Sequence, residues 1–255
     1  MKYEYHYQTR SYETDLHHAL RPTQLIQYMQ ETAEHQIHDQ DKDYLELYYE
    51  DRKAYIISRM SVEADLPVTR FADLTARTWI TEGRAANFPR HYELFHDGRS
   101  IARATSTWAM VDVDTKKLIR YADYDTSSYP VDEPPEMRIP SRFRIPKELE
   151  LLHIRDIRVG YSMTDVNRHM NNAVYANQLY DCIPGVPDHF MTSVNLRYIH
   201  EAPFGTVLRV FRSDPVREEK IDPAADFVVY FRTEVGEEIN VEAVFGLRKY
   251  ESSGE

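Results

Sequence analysis

The run Asp165-Val166-Asn167-Arg168-His169-Met170-Asn171-Asn172 sets a carboxylate, an amide and an imidazole at every second position. In an extended segment alternate side chains point the same way, so the spacing predicts that all three face one cavity. An imidazole exchanges protons near neutral pH. An amide holds a carbonyl or a water in a fixed direction, and a carboxylate orients either one. A helical pattern begins at Asn171 and Asn172, and helix N-terminal amides there would receive negative charge developing on an oxygen. Together these groups suit water activation and acyl chemistry. Each residue alone is also a common turn or cap residue, so the unit carries the reading rather than any one member. Glu201, in Arg197-Tyr198-Ile199-His200-Glu201-Ala202-Pro203, falls at the predicted end of a strand. It reads either as a solvated turn residue or as a general base for water.

Other reactive groups point to less. Cys182 follows Asp181 near a helix end, away from the positive terminus that would lower its pKa. His35 and His38, with Glu31 and Glu34, read as a solvated helix face rather than a metal set, because no cysteine or further histidine completes it. There is no phosphate-cradling Gly-Lys-Ser/Thr loop. No metal and no cofactor is expected.

The elements that must position these groups recur in the same order twice. Tyr3 to Ser11 alternates as a strand, and Pro22 opens a helix to about Ile37 with Leu25, Ile26, Met29 and Ala33 as its buried stripe. Strands are expected at 54–63, 74–81, 88–95 and 100–113, with a hairpin turn at His96-Asp97-Gly98-Arg99. Between about Asp125 and Leu149, five prolines and a basic island of Arg138, Arg142, Arg144 and Lys147 read as a semi-rigid linker. Then come a strand at 153–159, a helix from Asn171 to Ile183 stopped by Pro184-Gly185, and strands at 191–200, 206–212, 227–233 and 240–250.

Ser11-Tyr12-Glu13-Thr14-Asp15 falls near Gly160 to Asp165, and Asp65-Leu66-Pro67 falls on Glu201-Ala202-Pro203. Each half is a long helix wrapped by a curved antiparallel sheet, an α+β unit, and two units side by side share a site at their interface. The expected organisation is an N-terminal unit over 1–125, a linker over 126–149 and a C-terminal unit over 150–255. The first copy keeps Asp15 but lacks the Asn and His spacing, which leaves one decorated site per pair.

At 255 residues, with 42% hydrophobic content, the chain suits two domains. Nineteen Tyr favour sheet, and a net charge of -11 argues against a general nucleic-acid binder. One cysteine permits no internal disulfide and fits a reducing compartment. The N-terminus lacks a signal-peptide stretch and no run of about 18 apolar residues occurs, so the expectation is a cytoplasmic protein without a membrane span.

The chain resembles the acyl-acyl carrier protein thioesterases, of the plant FatA/FatB type and their bacterial relatives. In the first half the resemblance runs through Arg10-Ser11-Tyr12-Glu13, Met29-Gln30-Glu31-Thr32-Ala33, Ser58-Arg59-Met60, Thr78-Trp79, Arg90 and 103–110. In the second it is the Asp165–Asn172 motif, Tyr175, and Leu196-Arg197-Tyr198 with Glu201. The resemblance implies a tandem hotdog fold and hydrolysis of a fatty acyl thioester on a carrier protein's phosphopantetheine arm, ending fatty acid synthesis. It places the catalytic groups on Asp165, Asn167, His169 and Glu201. Glu201 and His169 would hold and deprotonate a water, Asn167 would fix water or carbonyl, Asp165 would support Asn167, and Asn171 and Asn172 would help the oxyanion. The family's suspected cysteine is Ala202 here, which favours direct attack by water. The acyl tunnel is implied beside Leu25, Met29, Thr32 and Ala33. An acidic carrier protein needs a basic approach, for which Arg138, Arg142, Arg144 and Lys147 are the candidates. The start of the chain, close to its first strand, implies a bacterial-type cytosolic enzyme.

Three other readings stay open: an acyl-CoA thioesterase of the same fold, a non-catalytic acyl-binding protein, and a hydratase or dehydratase with a different acid arrangement. Chain length and saturation of the acyl group are not legible, and association into a homodimer is open.

Overall fold

The computed structural model describes residues 2–40, 44–65 and 67–250. The first half contributes strands β1 (Tyr3–Gln8), β2 (Lys53–Ala64), β3 (Asp73–Ile80), β4 (Phe88–His96), β5 (Arg99–Asp112) and the short β6 (Leu118–Ile119). Its helices are α1 (Pro22–Gln40) and α2 (Tyr44–Tyr49). The second half contributes β7 (Leu152–Arg158), helix α3 (Val174–Tyr180), β8 (His189–Tyr198), β9 (Val207–Arg212), β10 (Phe227–Val235) and β11 (Glu238–Lys249). All strands join one antiparallel sheet in the order β1-β3-β4-β5-β2-β8-β11-β10-β9-β7, with β6 paired to β5. The first five strands of that order and the last five follow the same connectivity in mirror sequence, and the halves meet where β2 pairs with β8 through Met60↔Leu196 and Val62↔Val194. This is the double hotdog fold.

Local chemistry explains the elements. Pro22 begins α1, where its missing N–H costs no hydrogen bond. Leu25, Ile26, Met29 and Ala33 fall on one face and are all buried. They join Met60, Val62, Leu196, Phe231 and Phe245 in one apolar core that spans both halves. The second helix is shorter than the pattern 171–183 predicts. Asn171 donates its N–H to Met163 and accepts from Ala173 through its own side chain, so the chain is still turning there. Past Tyr180, Cys182 and Ile183 bond back three residues, and Gly185 ends the turn at φ 71°.

The proline-rich segment is not a free connector. Ile80 exchanges backbone bonds with Pro130 and Asp132, and the Trp79 indole donates to the Glu133 carbonyl at 2.8 Å. Further on, Asn195 donates to the Pro140 carbonyl at 2.8 Å, and Phe143 packs on Val228, Tyr230 and Val244. The segment therefore crosses the face of the sheet opposite the helices, from β3 to β10, and covers Ser61, Glu63 and Asn195 at the junction of the halves.

Backbone bonding fixes how the copies correspond. Asp15 N–H bonds Ala19 O as Asp165 N–H bonds His169 O, and Leu20 N–H bonds Val68 O as Met170 N–H bonds Ala202 O. Isolated bridges pair Ala19 with Thr69 and His169 with Pro203. Pro67 is thus the counterpart of Glu201. The alignment of Asp65-Leu66-Pro67 on Glu201-Ala202-Pro203 is two residues out of step, and Leu66 lies outside the described residues. Identity between such short polar stretches carries too little information to set the offset.

Candidate functional site

Thr164 to Met170 is a closed turn rather than an extended run. A bridge joins Thr164 to Met170, Arg168 N–H bonds Asp165 O at 2.9 Å, and Arg168 takes the left-handed conformation at φ 64°. Asp165 makes the turn by accepting the Asn167 N–H on its side chain at 2.9 Å. The first copy builds the same turn, with Asp15 accepting from His17 and Ala19 and with His18 at φ 61°. Because Asp15 does this beside His17, Ala19 and Pro67, where the second copy has Asn167, His169 and Glu201, the aspartate builds the turn in both copies. The combination of amide, imidazole and carboxylate at these three positions belongs to the second copy.

His169 and Glu201 meet. The His169 Nε2 lies 3.0 Å from a Glu201 carboxylate oxygen, with the side chains 30% and 60% exposed. The pairing follows from the backbone: the His169–Pro203 bridge and the Met170–Ala202 bond tie the turn to the segment that follows β8. Asn167 is held from elsewhere. The Tyr44 hydroxyl, on α2, donates to Asn167 Oδ1, which leaves the amide nitrogen of Asn167 pointing away from that bond as a donor. Burial first, and then Tyr48, Asp165 and Glu34, push the Tyr44 pKa up, so the phenol stays a donor. Beneath the loop, buried Tyr175 has its pKa raised, mainly by burial and also by Asp165 and Glu201.

A cavity of about 830 Å³ opens beside this loop. Its wall includes Asp165, Asn167, Asn171 and Asn172 from the second half and Ala33 from α1, whereas His169 and Glu201 sit outside the wall. Leu25, Met29 and Thr32 are buried but do not line it; they face the sheet and fill the core. The wall is mixed, not apolar throughout: Gln27, Gln30 and Glu34 of α1 share it with Tyr55, Phe88 and Trp108. The counterpart location in the first copy, beside Asp15 and Ala19, holds only about 30 Å³ and is lined by Tyr180, Phe190 and Tyr250.

The structure departs from the expected oxyanion site. Asn171 N–H is committed to Met163 O, Ala173 N–H to the Asn171 side chain and Val174 N–H to Asn171 O. At the entrance to α3 the amides of Asn171, Ala173 and Val174 are therefore already engaged. Ala202 is buried in the core, so a cysteine there would not enter the site. Cys182 is a buried thiol with its pKa raised, by burial first. The basic island also divides. Arg138 is tied to Asp65, Asp222 and the carbonyls of Ala64 and Thr192, and it fastens the crossing segment instead of facing a partner. Arg142, Arg144 and Lys147 are exposed. Tyr44 carried no functional signal in the sequence, because nothing local tells a positioning tyrosine from a packing one; Tyr198, whose hydroxyl donates to Asn172 O, entered only through the family resemblance.

The fold is thus a double hotdog, with an imidazole–carboxylate pair beside an oriented amide that lines a cavity. The chain matches the descriptions "Acyl-ACP thioesterase N-terminal domain" over residues 1–129 and "Acyl-ACP thioesterase C-terminal domain" over residues 147–244, and it belongs to the acyl-ACP thioesterase family. It is 25% identical over 182 residues to a chloroplastic acyl-(acyl-carrier-protein) hydrolase of Cuphea viscosissima, covering 64% of this chain and 42% of that protein. It is 30% identical over 141 residues to the chloroplastic oleoyl-acyl carrier protein thioesterase 2 of Arabidopsis thaliana, covering 50% of this chain and 35% of that one. The matches thus span less than half the length of these relatives. Among solved structures, an acyl-ACP thioesterase from Bacteroides thetaiotaomicron superposes with a TM-score of 0.82 at 20% identity, covering 96% of this chain and 97% of that one. The 12:0-ACP thioesterase from Umbellularia californica gives 0.76 at 18% identity, covering 98% and 94%. Among the described residues no helix is long and apolar enough to cross a membrane.

Proposed function

We propose that this protein hydrolyses the thioester between a fatty acyl group and acyl carrier protein, releasing free fatty acid and the carrier's thiol. The observation that carries the reading is the 3.0 Å contact of His169 with Glu201, in the same loop as an Asn167 fixed by Tyr44 at the cavity mouth. Glu201 and His169 share a proton and hold a water. The water oxygen bonds to the thioester carbon while one of its protons passes to the pair. The Asn167 amide nitrogen donates to the carbonyl oxygen as it gains charge. The carbon–sulfur bond then breaks, and the sulfur leaves with that proton. Asp165 positions Asn167 through the turn, and the acyl chain occupies the cavity past Ala33. With alanine at 202 no thiol is available beside Glu201, and the reading is direct attack by water. The enzyme acts in the cytoplasm in this proposal, consistent with its single free thiol.

The test supplies one acyl chain on carrier protein and on CoA and follows thiol and fatty acid release in ¹⁸O-labelled water. Faster release from the carrier, with label in the acid, supports the reading. Faster release from CoA transfers the protein to the acyl-CoA class, and binding without release makes it an acyl-binding protein.

A further inference from the structure

On the face of the sheet opposite the helices, where the halves join, Arg59 of β2 stands directly across from Arg197 of β8. Like charges in register on neighbouring strands repel. The same row continues into β11 and β10, where Arg197 and Arg232 both bind Glu242 at 2.9 and 2.8 Å. Arg142, from the crossing segment, adds its charge to Arg59: burial first, then Arg197 and Arg142, lower the Arg59 pKa against the opposing pull of Glu242. One buried carboxylate thus faces four guanidinium groups, an excess of three positive charges in a chain of net charge -11. The internal hydrogen bonding is incomplete as well. Arg59 Nη1 and Arg232 Nε are buried without a partner. Arg197 keeps 43% of its side chain exposed and Arg232 33%, so the cluster is open on its outer side. An anionic surface laid over the row would supply negative charge and acceptors that the row itself lacks.

We propose that Arg59, Arg142, Arg197 and Arg232 form the surface on which the acidic carrier protein docks. The inference rests on the carrier-protein reading above and changes its location: Arg138 is excluded, and the site moves from the proline-rich segment alone to the seam between the halves. Charge complementarity selects the occupant, since an acidic protein approaching an acidic enzyme is steered to a concentrated positive patch such as this one. Reach fits too. Arg197 precedes Glu201 by four residues, so their Cα atoms are at most about 14 Å apart, a span that an extended phosphopantetheine arm covers from the carrier's edge to the loop.

The experiment measures KM and kcat of Arg142→Glu and Arg197→Glu on carrier-bound acyl substrate and on the same acyl group carried by N-acetylcysteamine. Arg144→Glu, on the same segment but outside the cluster, is the comparison. The expected result is a KM for the carrier substrate raised about tenfold in each cluster variant and flattened in its salt dependence. KM and kcat on the small thioester should stay within twofold of wild type, which also shows the variants are folded, and Arg144→Glu should shift neither. Equal losses on both substrates, or an unchanged carrier KM, overturn the docking surface while leaving the hydrolase reading intact. A wild type that cleaves only the small thioester overturns the carrier reading and the surface together.

Discussion

His169, just before α3, and Glu201, just after β8, meet at 3.0 Å because the His169–Pro203 bridge and the Met170–Ala202 and Phe204–Arg168 backbone bonds hold the two segments side by side. If this pair activates water, Glu201→Gln and His169→Ala each lower kcat by about 10²–10⁴-fold with little change in KM. Both side chains are partly exposed, so the melting temperature should hold. Steady-state kinetics beside a thermal melt is the check, and near-wild-type turnover by both variants removes the assignment.

Tyr44 donates its hydroxyl to Asn167 and shares the cavity wall with it. Tyr44→Phe leaves the amide free to turn, a loss of about 1–2 kcal/mol, or roughly 5–30-fold in kcat. Asn167→Ala should cost more, and the two changes together should cost no more than Asn167→Ala alone, because the hydroxyl acts through the amide. Additive losses in that double-mutant comparison would give Tyr44 a separate role.

Ala33 is the one residue of the expected tunnel set that lines the cavity. Enlarging it to Leu narrows the space beside α1, and the released fatty acids should shift to shorter chains in a product profile. The same profile from Met29→Leu, a near-isosteric change in the packed core, should not move. Identical profiles for Ala33→Leu and wild type place the acyl chain elsewhere.

Ala202 sits wholly within the core, with its backbone carbonyl bonded to Met170. Ala202→Cys should leave kcat within about twofold of wild type, and a thiol-directed alkylating agent should not slow it further. A gain in rate, or new sensitivity to alkylation, would restore a covalent route.

His91 is buried on β4, near Thr81, with its pKa lowered to about 4 by burial first and then by Lys2 and Arg90. The unfolded chain takes up this proton near pH 6.5 and the folded one does not. The stabilisation from a neutral His91 is therefore complete above about pH 6.5 and is lost as pH falls toward 4, with a slope approaching ~1.4 kcal/mol per pH unit. Denaturant melts at several pH values should show this loss, and His91→Gln should flatten it. A slope that survives the substitution belongs to other groups.

By itself the sequence determined the alternation that makes strands, the stripe Leu25-Ile26-Met29-Ala33 that makes α1 amphipathic, the order of elements in two copies, and the residue types of one decorated loop. These are local or periodic properties, set by which faces must leave water. Only the tertiary structure decided the rest, because it depends on pairing between distant segments. The Asp165 turn replaced an extended run once its side chain could satisfy the Asn167 amide. The two-residue offset that makes Pro67 the counterpart of Glu201, the hold of Tyr44 on Asn167 and the fastening of the crossing segment by Arg138 have no periodic signature. The same is true of Arg59 and Arg197, which stand 138 positions apart in the chain and became neighbours only when β2 and β8 closed the two halves into one sheet.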